Sequence, residues 1–347
     1  MAASKPITIV GGGLGGLTLG IGLRRRDVPV TVWEAGRYPR HRVCGEFISG
    51  RGQATLAGLG LKERLIDAGA IPGRTVEFSS TTIAGRPRDL PQPALCLPRH
   101  KLDSLLADHF RELGGELREG VRWRDNVRLD GVVFASGRRL QPVVDGWQWL
   151  GLKAHALGVA TRADLEMHVS AAGYVGLCRL PGGIVNVCGL FRRKPASGDA
   201  AGNWREQLSG APGSLLRERM SGATFVADSF CAVAGINLKP QTARRQSECR
   251  IGDALTMIPP LTGNGMSMAF ESAELALPPL AAYSRGEMSW TQARESIARA
   301  CDEAFASRLA WAKWLQQMLL WPATQNVLVA LAARQGWFWQ LLFAKTR

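Results

Sequence analysis

Three glycines near the start of the chain are spaced in a way that suits phosphate binding. Gly11, Gly13 and Gly16 fit the pattern G-x-G-x-x-G. In that pattern the first glycine permits a tight turn, the second lets a pyrophosphate approach the backbone, and the third lets a helix pack closely on a strand. Glu34 follows roughly 20 residues later, where a carboxylate can accept a hydrogen bond from a ribose hydroxyl. The spacing predicts a dinucleotide site, and the acid favours FAD or NAD over NADP.

A second stretch, RIGDALTMIPPLTGNGM at residues 250–266, combines an acid with a loop rich in proline and glycine. Asp253 can hold a sugar-alcohol hydroxyl. Residues 260–265, from Pro260 to Gly265, present bare N–H groups where a helix begins near Met266. A helix N-terminus stabilises negative charge, so this loop suits the edge of a reduced, anionic isoalloxazine ring. The alternative is an ordinary loop before a core helix.

Two further residues are candidates for catalysis. Cys44 and Glu46 lie in the basic loop GRYPRHRVCGEFISG at 36–50, directly after the strand that ends at Glu34. A loop in that position borders the cofactor, so we expect both side chains at the reacting centre. The alternatives are a packed thiol for Cys44 and a surface carboxylate paired with Arg42 for Glu46.

The elements that must position these residues alternate between strand and helix. Residues 7–10 and 28–34 are typical of buried strands, and residues 14–25 of the helix between them. Residues 51–69 and 203–221 favour helix, residues 97–120 favour a helix closed by a glycine pair, and the chain is mostly helical from 289 onward. The pattern predicts an α/β fold with a Rossmann-like FAD-binding domain.

Four short apolar runs between residues 151 and 194 interrupt this pattern and predict an inserted antiparallel sheet. We therefore assign 1–70, 97–140 and 245–290 to a discontinuous FAD-binding domain, 71–96 and 141–244 to a β-sheet substrate domain, and 291–347 to a helical C-terminal region. Alternate side chains of the inserted strands would face the cofactor. Tyr174, Leu177 and Cys188 are the candidate pocket residues, whereas His155 and His168 are interpreted as structural histidines.

Composition limits the function classes. The chain has 347 residues and a net charge of +14, but its basic residues are dispersed and no nucleic-acid-binding module is visible. The seven cysteines are scattered without a C-x-x-C pair, which predicts reduced thiols, no metal site and a cytoplasmic protein. The first residues are too polar for a signal peptide, and no stretch is apolar enough for a membrane span.

The C-terminal segment contains five of the eleven tryptophans, at positions 311, 314, 321, 337 and 339. Tryptophan with lysine and arginine on amphipathic helices suits a membrane interface. The same residues equally suit packing against the FAD-binding domain, a lid over a lipid-like substrate, or an oligomer contact. Peripheral membrane contact therefore remains one of several readings.

The motifs in this order resemble the flavoprotein superfamily of p-hydroxybenzoate hydroxylase and geranylgeranyl reductase. GGGLGGLTLG with Glu34, RHKLDSLL at 99–106 and GDALTMIPPLTGNGM match its FAD motifs, and the C-G-E turn resembles a loop of the reductase branch. The resemblance implies that Gly11, Gly13, Gly16, Glu34, Arg99 and Asp253 bind FAD. It also implies that Gly263, Asn264, Gly265 and Met266, with Pro260, border the flavin ring.

The resemblance implies an FAD-dependent oxidoreductase acting on a hydrophobic or aromatic substrate, most simply a monooxygenase working through a flavin C4a-hydroperoxide. A reductase of isoprenoid C=C bonds and a non-catalytic flavin-fold binding protein are the alternatives. The hydroxylase branch usually carries A-D-G where this chain has Ala135, Ser136 and Gly137, and no second dinucleotide motif is present. The reductant is thus either transiently bound NAD(P)H or a reductase partner.

Overall fold

The computed structural model describes residues 4–124, 130–138, 143, 146–194, 203–335, 340–341 and 343–345. Its strands, in chain order, are β1 (Ile7–Val10), β2 (Val30–Glu34), β3 (Phe47–Ile48), β4 (Ile71–Ser80), β5 (Arg88–Cys96), β6 (Glu116–Glu119), β7 (Val132–Phe134), β8 (Gln148–Leu157), β9 (Leu165–Ser170), β10 (Gly173–Arg179), β11 (Val185–Arg193), β12 (Thr224–Phe225), β13 (Cys231–Ala234) and β14 (Cys249–Arg250). Its α-helices are α1 (Leu14–Arg24), α2 (Arg51–Gly58), α3 (Lys62–Asp67), α4 (Arg99–Glu112), α5 (Trp204–Ser209), α6 (Leu215–Arg219), α7 (Gly265–Ser284), α8 (Trp290–Leu319) and α9 (Pro322–Arg334).

Five strands form a parallel sheet in the order β14-β7-β1-β2-β6. Ile7 and Ile9 of β1 and Val30 and Val32 of β2 are buried, whereas the residues that alternate with them, on the other face, are only half-buried. Helix α1 packs against α4 and α7, and its residues 14–23 are all buried. This layer brings the carboxyl ends of β1 and β2 and the start of α1 to one edge of the sheet.

Nine strands form the second sheet, in the order β12-β8-β11-β10-β9-β4-β5-β3, with β13 also paired to β8. The strands β8 to β11 pair in antiparallel fashion, whereas β4 and β9 are parallel. One face of this sheet lies towards the loop that carries Cys44, because the Asn186 amide donates to the Cys44 carbonyl oxygen at 2.9 Å. Short helices α5 and α6 cover the opposite face.

The C-terminal helices pack partly on the rest of the molecule. Helix α8 begins with a capping box at Ser289 and buries Leu315 and Leu319. Val329 of α9 joins the same apolar cluster. Trp337 and Trp339 lie outside the described residues. Within the described part of the chain, no helix is both long enough and apolar enough to cross a membrane.

The predicted fold class is confirmed, and several element boundaries need correction. Residues 51–69 form two helices rather than one, because Gly60 turns the chain with a φ of +57°. The stretch 97–120 contains α4 and then strand β6, since the chain reverses at Gly114 with a φ of +74°. Residues 203–221 are likewise divided, with a turn between α5 and α6. Strand β3, in the segment assigned to the FAD-binding domain, pairs with β5 of the second sheet.

Candidate functional site

A cavity of about 970 Å³ runs from the end of β2, past the glycine turn, to the loop before α7. Such a volume lies in the range of cofactor and ligand sites. The predicted residues that line it are Gly11, Gly13, Glu34, Cys44, Arg99, Asp253, Pro260, Gly263, Gly265 and Met266. The structure thus collects in one cavity residues that are more than 200 positions apart in the sequence.

The three glycines of the first motif have different environments. A Cβ atom at Gly11 would overlap the Ala135 carbonyl, and the φ of +115° there disfavours any other residue. A Cβ at Gly16 would overlap the Gly11 carbonyl, so Gly16 serves the close packing of α1 on β1. A Cβ at Gly13, by contrast, would have no atom within 4 Å. Gly13 is therefore the position where bare backbone faces open space at the start of α1.

Glu34 is held rigidly at the end of β2. Its Oε2 accepts a hydrogen bond from the Gly12 amide at 2.9 Å, and its Oε1 accepts one from the Gly36 amide at 2.7 Å. Arg40 donates to Oε1 at 2.6 Å. Oε1 thus accepts two hydrogen bonds and Oε2 one, so Oε2 can accept a ribose hydroxyl without loss of these partners.

Arg99 and Asp103 form a buried bidentate pair rather than a surface pair. The Arg99 Nε and Nη2 atoms donate to the two Asp103 oxygens at 2.9 and 3.0 Å. Burial acts to lower the pKa of Arg99, but the Asp103 charge outweighs it and the pKa is raised. Arg42 donates to the same carboxylate at 3.0 Å. Asp103 therefore fixes two guanidinium groups that both line the cavity, and the Arg99 group lies beside Cys44.

The loop before α7 offers hydrogen-bond donors at the other end of the cavity. Gly263 adopts the left-handed conformation with a φ of +67°, and α7 begins at Gly265, where a Cβ would meet no atom within 4 Å. The Asn264 Nδ2 atom is buried and has no hydrogen-bond partner within the described residues. Burial raises the pKa of Asp253, an effect that Arg138 and Arg99 partly oppose. Open glycines and an unpaired amide fit a flavin with its ribityl chain.

Glu46 does not line this cavity. Its side chain is fully buried, its backbone has a φ of +61°, and it accepts hydrogen bonds from His155 Nε2 at 2.6 Å and from the Arg99 amide at 2.9 Å. Burial opposes ionisation, but the His155 hydrogen bond and the Lys153 charge outweigh it, so the pKa of Glu46 is lowered. Glu46 therefore clamps the Cys44 turn against β8 and α4, which corrects the expectation that it meets the substrate.

Two residues that were not predicted from the sequence, Lys153 and His41, complete this cluster. Lys153 is fully buried in β8, and its Nζ lies 2.9 Å from His41 Nδ1 and 3.3 Å from Glu46 Oε1. His41, Glu46 and His155 bring ligand-type atoms within 4.8 Å of one another, but the Lys153 ammonium lies among them. The alternation of Lys153 and His155 in an otherwise apolar strand was the available signal, because it places both on one face.

The candidate substrate residues divide between the two faces of the second sheet. Tyr174 and Cys188 lie on the face that meets the loop before α7 and the Cys44 loop. There the Tyr174 hydroxyl accepts from the Leu261 amide at 3.0 Å and donates to Gln316 at 3.4 Å. Burial raises the pKa of both groups. Leu177 lies on the opposite face with Val175 and Val187, so placing it in the same pocket is wrong. Residues 174 and 177 are an odd number of positions apart, and a strand has a period of two.

Comparison with known proteins agrees with this geometry. Residues 4–135 match the family model of an FAD binding domain. The p-nitrophenol 4-monooxygenase PnpA from Pseudomonas putida is 14% identical, with a TM-score of 0.76 over 99% of this chain and 98% of that one. A geranylgeranyl bacteriochlorophyll reductase-like protein from Thermoplasma acidophilum is 16% identical, with a TM-score of 0.76 over 99% and 96% of the two chains.

The myxobacterial chondrochloren halogenase CndH, an FAD-dependent enzyme, is 17% identical, with a TM-score of 0.75 over 99% of this chain and 90% of that one. No curated protein sequence matches the chain significantly. At these identities the solved structures establish the fold that this chain shares with a hydroxylase, a reductase-like protein and a halogenase. They do not distinguish among those activities.

Proposed function

We propose that the chain is an FAD-dependent oxidoreductase of the superfamily of p-hydroxybenzoate hydroxylase and geranylgeranyl reductase, and that it hydroxylates an apolar or aromatic small molecule. Residues 4–135 match an FAD binding domain, and the fold is shared with a monooxygenase and a reductase-like protein. The finding that supports this most directly is the apolar sheet face beside the loop before α7. Tyr174 and Leu190 of that face pack with Leu261 and Met257 of the loop region. These side chains are buried against one another, so a substrate that separated them would meet apolar side chains, which suit an apolar body better than a small charged acid.

Bound FAD would supply electrons and the reaction with O₂, and the chain's own residues orient and enclose it. Gly13 and the start of α1 would take the pyrophosphate, Glu34 a ribose hydroxyl, and Asp253 the ribityl chain. The amides at the start of α7, together with Pro260, Gly263, Asn264 and Met266, would border the ring. Arg99 and Cys44 line the cavity where the two ends of this arrangement meet.

The flavin-side face of the second sheet would form the substrate wall. The hydrogen bond from the Leu261 amide to Tyr174 ties that wall directly to the flavin loop. Leu315, Leu319 and Val329 of the C-terminal helices belong to the same cluster and exclude water from it. Exclusion of water strengthens every polar interaction at the reacting centre and protects reactive species from hydrolysis. In this proposal residues 71–96 and 141–244 form the substrate domain, and the C-terminal helices close it.

The residues that follow β7 bear on the source of electrons. Ser136 lies on the cavity wall with Gly137 and Arg138. The hydroxylase branch usually has an acid at the position of Ser136. We propose a reductant that does not reside in the protein, either NAD(P)H that binds transiently or a separate reductase.

A reductase of isoprenoid C=C bonds is the second candidate, and Cys44 favours it. Its thiol lines the cavity beside the Arg99 guanidinium. Reduction of a C=C bond needs a hydride and a proton, and a thiol next to the flavin could supply the proton. The same apolar wall would hold an isoprenoid chain.

A single-turnover experiment distinguishes the two candidates. The FAD-loaded protein is photoreduced under argon and then mixed either with ¹⁸O₂ and 4-nitrophenol or 4-phenylphenol, or with geranylgeraniol in the absence of oxygen. Hydroxylation predicts a product that carries one ¹⁸O atom. Reduction of a C=C bond predicts, under argon, reoxidised FAD and a product in which one of the C=C bonds of geranylgeraniol has gained two hydrogens.

A substitution at Cys44 and a measurement without substrate are the controls. A Cys44→Ser variant should retain hydroxylation within a few-fold if the first proposal holds, and should lose most C=C reduction if the second holds. If reduced FAD reoxidises in oxygen at one rate with and without the phenols and yields no labelled product, the hydroxylase proposal is wrong.

A further inference from the structure

The cavity of about 970 Å³ that would hold FAD is lined by seven arginines and four acids. Five of the arginines have partners of their own. Arg40 pairs with Glu34, Arg42 and Arg99 pair with Asp103, Arg250 pairs with Glu248, and Arg294 donates to the carbonyl oxygens of Gln246 and Ser247. Arg122 and Arg138 are the two that meet no carboxylate in the part of the chain that the structure describes. Their charges are therefore the ones left for a ligand.

Arg138 follows strand β7 and is half-buried. Within the described residues it makes one hydrogen bond, in which its Nη2 donates to the Val43 carbonyl oxygen at 3.3 Å. That distance is long for an N–H···O hydrogen bond, and a guanidinium carries five N–H donors. Most donors of Arg138 are therefore free to bind a ligand in the cavity that it lines.

The cofactor lies on one side of the Arg138 guanidinium. Burial raises the pKa of Asp253, and the Arg138 charge is the largest effect that opposes this shift. Asp253 is the residue that would hold the ribityl chain, but the two side chains do not form a contact ion pair. The guanidinium is thus close to the position of the ribityl chain without being neutralised by Asp253.

The proposed substrate wall lies on the other side of Arg138. Burial raises the pKa of Cys231 to about 11, and the positive charges of Lys153 and Arg138 oppose this shift. Cys231 lies in β13, and Val233, two positions later on the same face of that strand, packs with Tyr174. Arg138 therefore borders both the cofactor and the apolar sheet face that would hold the substrate.

Arg122 lies at the Glu34 end of the same cavity. The amide of Val121, the preceding residue, donates to the Glu34 carbonyl oxygen at 3.1 Å, and the Arg122 side chain is exposed. Glu34 would hold a ribose hydroxyl, so Arg122 is placed towards the adenosine half of FAD. It is a second arginine without a carboxylate partner, and it serves as the matched control for Arg138.

The chemistry that an unpaired guanidinium recognises is an anionic oxygen group. A carboxylate accepts two parallel hydrogen bonds from it. Gly13 and the start of α1 would take the pyrophosphate of FAD, so this group does not require Arg138. Once FAD and substrate exclude water, an unpaired charge at Arg138 is costly, whereas a paired and hydrogen-bonded one is tolerated. An apolar wall with one free cation therefore suits a molecule that has an apolar body and a single carboxylate.

We propose that Arg138 determines substrate specificity by binding the carboxylate of an otherwise apolar substrate. This assignment rests on the function proposed above only in that the substrate lies between FAD and the apolar sheet face. It does not depend on hydroxylation, because binding to the oxidised protein requires no turnover.

The test compares 4-phenylbenzoate with 4-phenylbenzamide, which has nearly the same shape but no charge. Each is titrated into the oxidised, FAD-loaded protein, and binding is followed by the change in the flavin absorption spectrum and by calorimetry. We expect the wild type to bind the carboxylate about tenfold to hundredfold more tightly than the amide, because charge-assisted hydrogen bonds are the strong ones. Arg138→Gln should remove this preference. Arg138→Lys keeps the charge but not the paired donors, so it should retain part of the preference.

Arg122→Gln is the control and should bind both probes as the wild type does. Equal affinity of the wild type for the carboxylate and the amide overturns the proposal, as does a preference for the carboxylate that survives in Arg138→Gln. No detectable binding of the carboxylate at millimolar concentration also overturns it.

The FAD affinity of each variant, measured by flavin fluorescence, tests the competing role of Arg138 in cofactor binding. FAD binding that is about tenfold weaker in Arg138→Gln would assign the guanidinium to the pyrophosphate and overturn the proposal. The hydroxylase proposal fails separately, because it is contradicted by the absence of ¹⁸O in the product, whereas the binding preference is measured without any reaction.

Discussion

Gly13 and Gly16 occur in one motif, yet the structure separates what each contributes. A Cβ at Gly13 enters open cavity, whereas a Cβ at Gly16 overlaps the Gly11 carbonyl. We expect Gly13→Val to leave the unfolding free energy of the apoprotein unchanged and to weaken FAD binding roughly tenfold to hundredfold, the cost of about 1–3 kcal/mol for forcing a side chain into filled space. FAD titration followed by flavin fluorescence, with urea unfolding of the apoprotein, measures both quantities.

Gly16→Val is the matched comparison. Its added atoms meet backbone, so it should destabilise the apoprotein itself by about 2 kcal/mol or more. If Gly13→Val binds FAD as tightly as the wild type, the pyrophosphate does not lie against Gly13, and the glycine turn serves packing alone.

His41 makes stability depend on pH. Burial and the positive charges of Lys153, His155 and His100 lower its pKa from 6.5 to about 4. The unfolded chain therefore binds a proton more readily than the folded one between these values, so the His41 contribution is complete above pH 6.5 and is lost as the pH falls towards 4. We expect urea unfolding free energies of the wild type to fall across this window and those of His41→Gln to fall less steeply.

The His100 pKa is lowered for a similar reason, with burial as the largest cause, so His100→Gln should flatten the profile in the same direction. Glu46 contributes in a lower pH range. Because its pKa is lowered in the folded protein, its contribution to stability is complete above its usual pKa of 4.5 and is lost as the pH falls below that value. Parallel pH profiles for the wild type and His41→Gln would show that His41 ionises as freely in the folded protein as in the unfolded one.

Single residues also show which parts of the site could be predicted from the sequence and which could not. The roles of Gly11, Gly13 and Glu34 follow from local spacing, because a turn, a helix start and a strand end lie within a few residues of one another. Glu46 and Lys153 are more than 100 positions apart, and each is unremarkable in its own segment. Their contact depends on the docking of the loop after β2 onto β8, which no local pattern encodes.

Strand β10 contributes side chains to both faces of the second sheet. Tyr174 faces the flavin loop and accepts a hydrogen bond from the Leu261 amide, while Leu177 faces α5 and α6. Tyr174→Phe would leave that buried amide unpaired, a cost of about 1–3 kcal/mol concentrated in the loop before α7. We expect weaker FAD binding and a shifted flavin absorption spectrum.

Leu177→Ala tests the other face of the same strand. It should lower the unfolding free energy by about 2–5 kcal/mol through the cavity that it creates. The flavin spectrum and the FAD affinity of the refolded protein should match the wild type. A spectrum altered equally by both substitutions would mean that the sheet transmits any loss of packing to the flavin.

Helices and strands are predicted best from the sequence where the apolar residues follow a single period. Strands β1 and β2 and helix α1 follow from a β-branched run, a helical stretch and the glycines between them. The errors occur where turns are hidden in apparently continuous stretches, as at Gly60 and Gly114, whose positive φ values end one element and begin another. The alternation that identified β10 was correct, but the register that decides which residues face the flavin comes from pairing with β9 and β11.

The whole molecule combines a net charge of +14 with apolar side chains exposed on its C-terminal helices. Trp314 is 41% exposed and Trp321 64% exposed, while Leu315 and Val329 of the same helices are buried. Packing therefore accounts for one side of these helices and leaves the tryptophans unexplained. Exposed tryptophan on a basic protein suits the interface of an anionic membrane, where the ring lies at the headgroup level and the charges attract the lipid.

We expect the protein to bind vesicles of phosphatidylcholine and phosphatidylserine in a 7:3 ratio, and the double variant Trp314→Ser, Trp321→Ser to bind them about tenfold more weakly. The Trp314 ring contacts Trp311 at a centroid distance of 5.5 Å, so the double variant should unfold at a slightly lower temperature, and binding is compared well below that temperature. Cosedimentation at low and at 0.5 M salt separates the two contributions, because salt screens the charges but not the burial of indole. Equal binding of both proteins at low salt, with complete loss of both at high salt, would assign the attraction to charge alone. The exposed tryptophans would then be left for a lid or an oligomer contact.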